Sequence, residues 1–256
     1  MIPNATTNPT IMGTLASAEE TAAYGRLSEL LSHSPLPRKE VLFNLGLFLN
    51  RASLGRILFM QHLYSKIVPI HGIVVEFGVR WGQNLALFST FRNLYEPHNY
   101  SRKIVGFDTF EGFPSISTQD GTFPSSQVGA YSVTPDYESY LDDLLATHER
   151  LAPRSHLKKF ELVKGDVRDT LPAYLESHPE TIISFAYFDM DIYEPTKFCL
   201  EMIKPYLAKG SVIGFDELGL PDFPGEATAL KEVWGLSNYR ICRDPISNYQ
   251  SYIVLE

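Results

Sequence analysis

Acidic residues recur in this chain where short apolar runs stop. Glu76 follows Ile73-Val-Val, Asp108 follows Lys103-Ile-Val-Gly-Phe, and Asp166 follows Phe160-Glu-Leu-Val-Lys-Gly. Asp189-Met-Asp191 ends Ile183-Ser-Phe-Ala-Tyr-Phe, and Asp216-Glu217 ends Ser211-Val-Ile-Gly-Phe. Runs of this kind read as buried strands of a parallel sheet, and the carboxyl ends of such strands line the ligand crevice of an open α/β fold. The carboxylates along that crevice divide into two groups by the chemistry they suit.

The first group suits a nucleoside cofactor. Glu76-Phe-Gly-Val-Arg-Trp-Gly82 leaves the first strand and opens a helix. Gly78 would let the backbone approach a ligand, and Gly82 would tighten the entry to the helix. The spacing E-x-G-x-x-x-G lacks the G-x-G-x-x-G that cradles a pyrophosphate. A cofactor without phosphate, carrying a cationic amino acid group, fits the acidic end at Glu76 better. A purely structural glycine turn is the alternative. Asp108 offers a carboxylate to ribose hydroxyls, or it caps the turn from Thr109 to Gly112. Asp166, after Gly165, can meet an adenine amino group, or it can cap the helix that follows.

The second group suits a cation. The fourth and fifth strands are neighbours in this topology, so Asp189, Asp191, Asp216 and Glu217 should converge. Buried carboxylates repel one another and call for a counter-charge. An all-oxygen donor set favours Mg²⁺ or Ca²⁺ over zinc. Pairing with Arg or Lys is the alternative. Asp189-Met-Asp191 is also the D-x-D string that holds a metal and a sugar nucleotide in glycosyltransferases, but that reading leaves Glu76 to Gly82 and Asp108 unexplained. A non-catalytic cofactor-binding or scaffold protein is a further alternative.

Helical segments separate most of the strands: Gln83 to Leu94, Leu171 to Ser177, Thr196 to Leu207, and Glu226 to Trp234. Alternating strand and helix predicts a doubly wound α/β sheet with right-handed crossovers. Tyr239-Arg-Ile-Cys-Arg and Ser251-Tyr-Ile-Val-Leu, separated by the turn-rich Asp244-Pro-Ile-Ser-Asn, close the sheet as an antiparallel hairpin. Residues 111–153 are too long for a plain crossover and read as an inserted lid with a helix from Tyr137 to Leu151. The aromatic residues Phe113, Phe123, Tyr131, Tyr137 and Tyr140 would let that lid cover a bulky acceptor.

Ahead of the first strand, residues 1–12 read as a flexible arm. Ser17-Ala-Glu-Glu opens a capped helix reaching Leu31, with Leu27, Leu30 and Leu31 on one side. A second helical stretch runs from Arg38 to Val68, broken near Gly46 or Gly55. Residues 1–69 therefore form an N-terminal helical extension, and residues 70–256 the main domain. Leu42, Phe43, Leu47, Phe48, Leu58 and Phe59 are more apolar surface than one helix face can hide, which predicts a homo-oligomer.

The 256 residues carry a net charge of -8, which argues against a general nucleic-acid binder. Cys199 and Cys242 make no metal or redox pair and read as reduced packing residues. No run approaches a membrane span, and no signal peptide is recognisable at the N-terminus, so a cytoplasmic protein is expected.

Val75-Glu-Phe-Gly-Val-Arg-Trp-Gly, Gly106-Phe-Asp-Thr-Phe-Glu-Gly-Phe-Pro, Lys164-Gly-Asp-Val-Arg-Asp-Thr-Leu-Pro and Phe188-Asp-Met-Asp-Ile-Tyr-Glu-Pro-Thr together resemble the macrocin O-methyltransferase family. The similarity covers about residues 70 to 235. It implies a Rossmann-like class I methyltransferase sheet and methylation of a sugar hydroxyl on a glycosylated natural product in antibiotic biosynthesis. The implied cofactors are S-adenosyl-L-methionine and a divalent metal. By position, Asp189, Asp216 and Glu217 match the metal ligands, although the family's usual Asp-Asp pair is here Asp-Glu. The cofactor would be held by Glu76, Phe77, Gly78, Arg80, Gly82, Asp108, Thr109, Phe110, Gly165, Asp166, Val167 and Asp189. Asp191, or a lid histidine such as His148 or His156, would take the proton. A catechol acceptor is an alternative to the sugar.

Overall fold

The computed structural model describes residues 16–246 and 249–256; the arm at residues 1–12 and the Ser247-Asn248 part of the predicted turn lie outside them. The chain divides into two compact units, ending at Gly55 and beginning at Arg56.

In the first unit, α1 (Ala18–Ser32) starts with the expected capping box. The Glu20 N–H donates to Ser17 Oγ, and the Glu20 carboxylate accepts from the Ser17 N–H. No residue of α1 is buried, and Leu30 and Leu31 are exposed. The long second helix divides at asparagines rather than at Gly55: α2 (Arg38–Phe43) ends at Asn44, a 3₁₀ turn covers Leu45–Phe48, and α3 (Arg51–Ile67) follows Asn50. Asn44 Nδ2 donates to the Glu40 carbonyl and Asn50 Oδ1 accepts from the Ser53 N–H. Such side-chain-to-backbone bonds compete with helix continuation.

The second unit is built on a seven-stranded sheet of order β3-β2-β1-β4-β5-β7-β6. The strands are β1 (Ile73–Phe77), β2 (Ile104–Asp108), β3 (Phe160–Lys164), β4 (Ile183–Phe188), β5 (Leu207–Phe215), β6 (Cys242–Arg243) and β7 (Ser251–Val254). β1 to β5 are parallel; β7 is antiparallel to β5 and β6 to β7. The predicted closing hairpin is thus present, although its first strand is only two residues long. The remaining helices are α4 (Gln83–Tyr95), α5 (Tyr137–Arg150), α6 (Val167–Ser177), α7 (Tyr193–Ile203) and α8 (Gly225–Val233).

Strand alternation sends side chains to two cores. Val75, Phe77, Val105 and Phe107 pack with α6, α7 and α8 through Leu171, Leu200, Ile203 and Leu230. Val74, Ile104, Phe185 and Tyr187 face the other way and pack with α3, α4 and α5 through Leu63, Phe88 and Leu145. Phe77, Phe188 and Phe215 stand level across β1, β4 and β5, so the residues after them leave the sheet side by side. The strand order reverses between β1 and β4, where ligands of open α/β sheets bind. Among the described residues, no helix is long and apolar enough to cross a membrane.

Candidate active site

Gly78 leaves β1 with φ +88°, and a Cβ placed on it would lie 1.9 Å from the Asp189 carbonyl oxygen. Its close approach is therefore to the end of β4, and it locks the two strand ends together. Gly82, also left-handed, would drive a Cβ into Leu141 of α5. Between them Arg80 has φ 48°, and Phe110 and Asp191 have φ 56° and 62° at the ends of β2 and β4. Non-glycine residues in this region carry strain that clusters at functional sites.

Asp108 organises the first loop. Its Oδ2 accepts from the Val79 and Arg80 N–H groups at 2.6 and 2.7 Å, and its Oδ1 from the Phe110 N–H. Thr109 Oγ1 donates to the Gly112 carbonyl. Asp166 follows Gly165 and caps α6, accepting from the Arg168 N–H and pairing with the Arg168 guanidinium, which lowers its pKa. Val167 is buried in the core below. The ring of Phe77 packs between Phe107 and Phe188, so only its backbone faces the crevice.

Glu76 is different. It is 1% exposed, its Oε1 accepts from Asn84 Nδ2 at 2.7 Å, and its Oε2 has no partner. Burial, and then the nearby Asp189 charge, push its pKa well above the carboxylate range. A buried acceptor with one free oxygen is suited to a cationic ligand group.

At the ends of β4 and β5, Asp189, Asp191, Asp216 and Glu217 come together as predicted, with Glu226 of α8 beneath them. Arg56 of α3 bridges two of them, donating from one nitrogen to Asp189 Oδ2 at 3.3 Å and from the other to Asp216 Oδ2 at 2.6 Å. Asp216 Oδ1 accepts from the Tyr187 hydroxyl and from Gln250 Nε2. Asp191 and Glu217 lie within hydrogen-bonding reach of each other, and Arg80 contributes positive charge to Asp191. Glu226 Oε2 accepts from the Glu217 N–H. No donor reaches Asp191 Oδ1, Glu217 Oε2 or Glu226 Oε1. Burial raises the pKa of Asp189, Asp191, Glu217 and Glu226; the next causes are the Asp216 charge for Asp189 and the Asp191 charge for Glu217 and Glu226. Oxygen donors, excess negative charge and unpartnered buried oxygens fit a hard divalent cation in kind. Among the described residues, however, no three ligating side chains stand in metal-holding geometry. The counter-charge on Asp189 and Asp216 is Arg56.

The lid lies over these strand ends. Asp120, buried in a 3₁₀ turn, accepts from the Tyr193 N–H after β4. Phe113 and Ala130 pack on Ile192, and the Tyr137 hydroxyl donates to the Trp81 carbonyl. Arg80 stacks over Tyr131, 4.9 Å from its ring centre. His148 sits in the last turn of α5, its pKa lowered by burial; its charged neighbour is Glu149, which pairs with Arg92 and Lys159. His156 is exposed in the turn before β3. Neither histidine is brought to the carboxylates by any described hydrogen bond or charge contact.

The family model described as a methyltransferase domain matches residues 75–218, which run from β1 past the Asp216-Glu217 pair. The chain belongs to that family. It is 41% identical to a solved structure described as CalS11, calicheamicin methyltransferase, covering 98% of both chains with a TM-score of 0.92. A second structure, described as apo CalS11, TDP-rhamnose 3'-O-methyltransferase, is 41% identical over 93% of this chain and 95% of that one, with a TM-score of 0.83. The O-methyltransferase NovP shares the fold at 16% identity, covering 92% and 98%, with a TM-score of 0.60. Comparison with curated sequences gave no significant match. The protein is an S-adenosylmethionine-dependent O-methyltransferase, related to sugar O-methyltransferases of natural-product biosynthesis as its motifs implied.

Two residues of this methyltransferase site were missed in the sequence. Arg56 lies 133 positions before Asp189 on a helix assigned to the extension, so no local spacing links them. Glu226 was read only as a helix start; its carboxyl faces the cluster because Gly225 packs against the backbone of Asp191 and Tyr193.

Proposed function

We propose that this O-methyltransferase acts on a hydroxyl of a deoxysugar in natural-product biosynthesis, carried on a nucleoside diphosphate or on the finished glycoside. The observation that carries this reading is the 41% identity, over 98% of both chains, to a calicheamicin methyltransferase. A catechol acceptor gains no support of that kind, and the glycosyltransferase and scaffold alternatives give way to the family.

In this reading the ends of β1 to β3 hold the cofactor. Glu76 accepts the methionine ammonium, Asp108 the ribose hydroxyls, and Asp166 with Val167 borders the adenine. Asp189, Asp216 and Glu217 hold a divalent cation, Mg²⁺ or Ca²⁺. When bound, that cation would polarise the attacking hydroxyl and lower its pKa. The residues around it align donor and acceptor for direct transfer of the methyl group to the oxygen. Asp191, whose pKa is raised, takes the hydroxyl proton and is better placed than His148. The lid over residues 111–153 excludes water, and the N-terminal extension, with Leu42, Phe43 and Leu47 exposed, assembles a homo-oligomer.

Transfer of an isotope-labelled methyl group should be assayed on TDP-linked deoxyhexoses, deoxyhexosyl glycosides and catechols. Methylation confined to catechols would reject the sugar reading. A monomeric mass by light scattering at micromolar concentration would reject the oligomer.

A further inference from the structure

We propose that Arg56 is a resident counter-cation: it fills the cation position between Asp189 and Asp216 and must withdraw before a metal enters, so it sets the metal affinity of the site. The inference rests on the metal reading above.

Three observations carry it. First, Arg56 occupies one oxygen of each of two proposed metal ligands, Asp189 and Asp216. Asp216 Oδ1 is already taken by the Tyr187 hydroxyl and Gln250 Nε2, which leaves Oδ2, and Oδ2 holds Arg56 at 2.6 Å. A divalent ion on that oxygen would stand beside the guanidinium, and like charges at such range exclude each other. Second, Arg56 is unlike the structural arginines. Arg92 and Arg102 are 1% and 2% exposed and donate to backbone carbonyls as well as to carboxylates. Among the described residues, Arg56 donates to Asp189 and Asp216 alone. Third, its side chain is 23% exposed while that of Asp216 is 4% exposed, so the arginine has a way out to solvent and the carboxylate does not. Withdrawal would cost the ion pair but no backbone hydrogen bond. Arg56 is thus a positioning residue that bridges Asp189 and Asp216 and offsets part of their negative charge.

The test is Mg²⁺ titration of the full-length, cofactor-free protein by calorimetry, with melting temperatures in EDTA and in Mg²⁺. R56M should bind Mg²⁺ about tenfold tighter than wild type. It should melt lower in EDTA and recover with Mg²⁺. R56K, which keeps the charge, should stay within about threefold of wild type on the same argument. If R56M does not fold, R56Q carries the same comparison. Wild type that binds Mg²⁺ while the neutral variants bind it no tighter overturns the proposal and leaves the metal reading standing. No Mg²⁺ binding by wild type or any variant overturns both.

Discussion

The two halves of the crevice use carboxylates in opposite ways. On the β1–β3 side, Asp108 and Asp166 are tied to backbone N–H groups and to Arg168, and they shape the loops that border the site. On the β4–β5 side, Asp189, Asp191, Asp216, Glu217 and Glu226 face one another, and Arg56 is hydrogen-bonded to two of them, Asp189 and Asp216. A carboxylate that accepts several backbone donors is at rest as it stands. A carboxylate held among other carboxylates stores repulsion that a ligand can relieve. Glu76 stands at the border, on the first side by position and like the second in burial and in its free oxygen. On the proposed reading, the difference separates residues that would build the donor site from residues that would take an acceptor and its cation.

The largest expected effect lies on the second side. D189N and D216N should each lower turnover by about 10²–10⁴-fold, the range of a lost acid–base or metal contribution, as read in the methyl-transfer assay. The affinity of D216N for S-adenosylhomocysteine should stay close to wild type. An equal loss of cofactor binding would erase the division between the halves. The next effect belongs to Asp108. D108A removes the acceptor for three backbone N–H groups, so cofactor affinity should fall by about 1.5–3 kcal/mol and the apo protein should lose stability in denaturant. Unchanged calorimetric affinity would remove Asp108 from the donor site.

A smaller, pH-dependent effect tests Glu76. Its raised pKa means that the folded protein keeps a proton there above the ordinary carboxylate range, and this contribution to stability is lost as pH rises through the raised value. An ammonium group favours the ionised form. Cofactor binding should therefore release a proton and tighten with rising pH, measured by calorimetry in buffers of different ionisation enthalpy. E76Q should bind more weakly without proton release; release that persists in E76Q would place the proton elsewhere. The smallest effect is expected at His148. H148A should change turnover by less than about threefold, well below the contribution of a general base; a larger loss would return the lid histidine to the mechanism.

Much of this was legible in the sequence because it is local. Apolar runs ending in an acid gave the five parallel strands and their ligand-facing ends, and the two closing segments around a turn-rich stretch gave the antiparallel hairpin. The capping box at Ser17 and the lid helix at Tyr137 also follow from neighbouring residues. What was not legible depends on long-range packing. Gly78 reads as room for a ligand, yet the nearest atom is the Asp189 carbonyl, 111 positions away in the chain. The helix break falls at Asn44 to Asn50, around Gly46 as one of the two expected positions, while the other, Gly55, is absorbed into α3. Arg56 escaped because an ion pair across the fold leaves no spacing in the sequence.

The most direct test of the two-sided site measures cofactor affinity and turnover on the same sample with EDTA and then with added Mg²⁺. The account predicts that S-adenosylhomocysteine binds equally well in both conditions, while methyl transfer to the sugar vanishes in EDTA and returns with Mg²⁺. Full turnover in EDTA would contradict it, leaving the β4–β5 carboxylates as acid–base or structural groups balanced by Arg56.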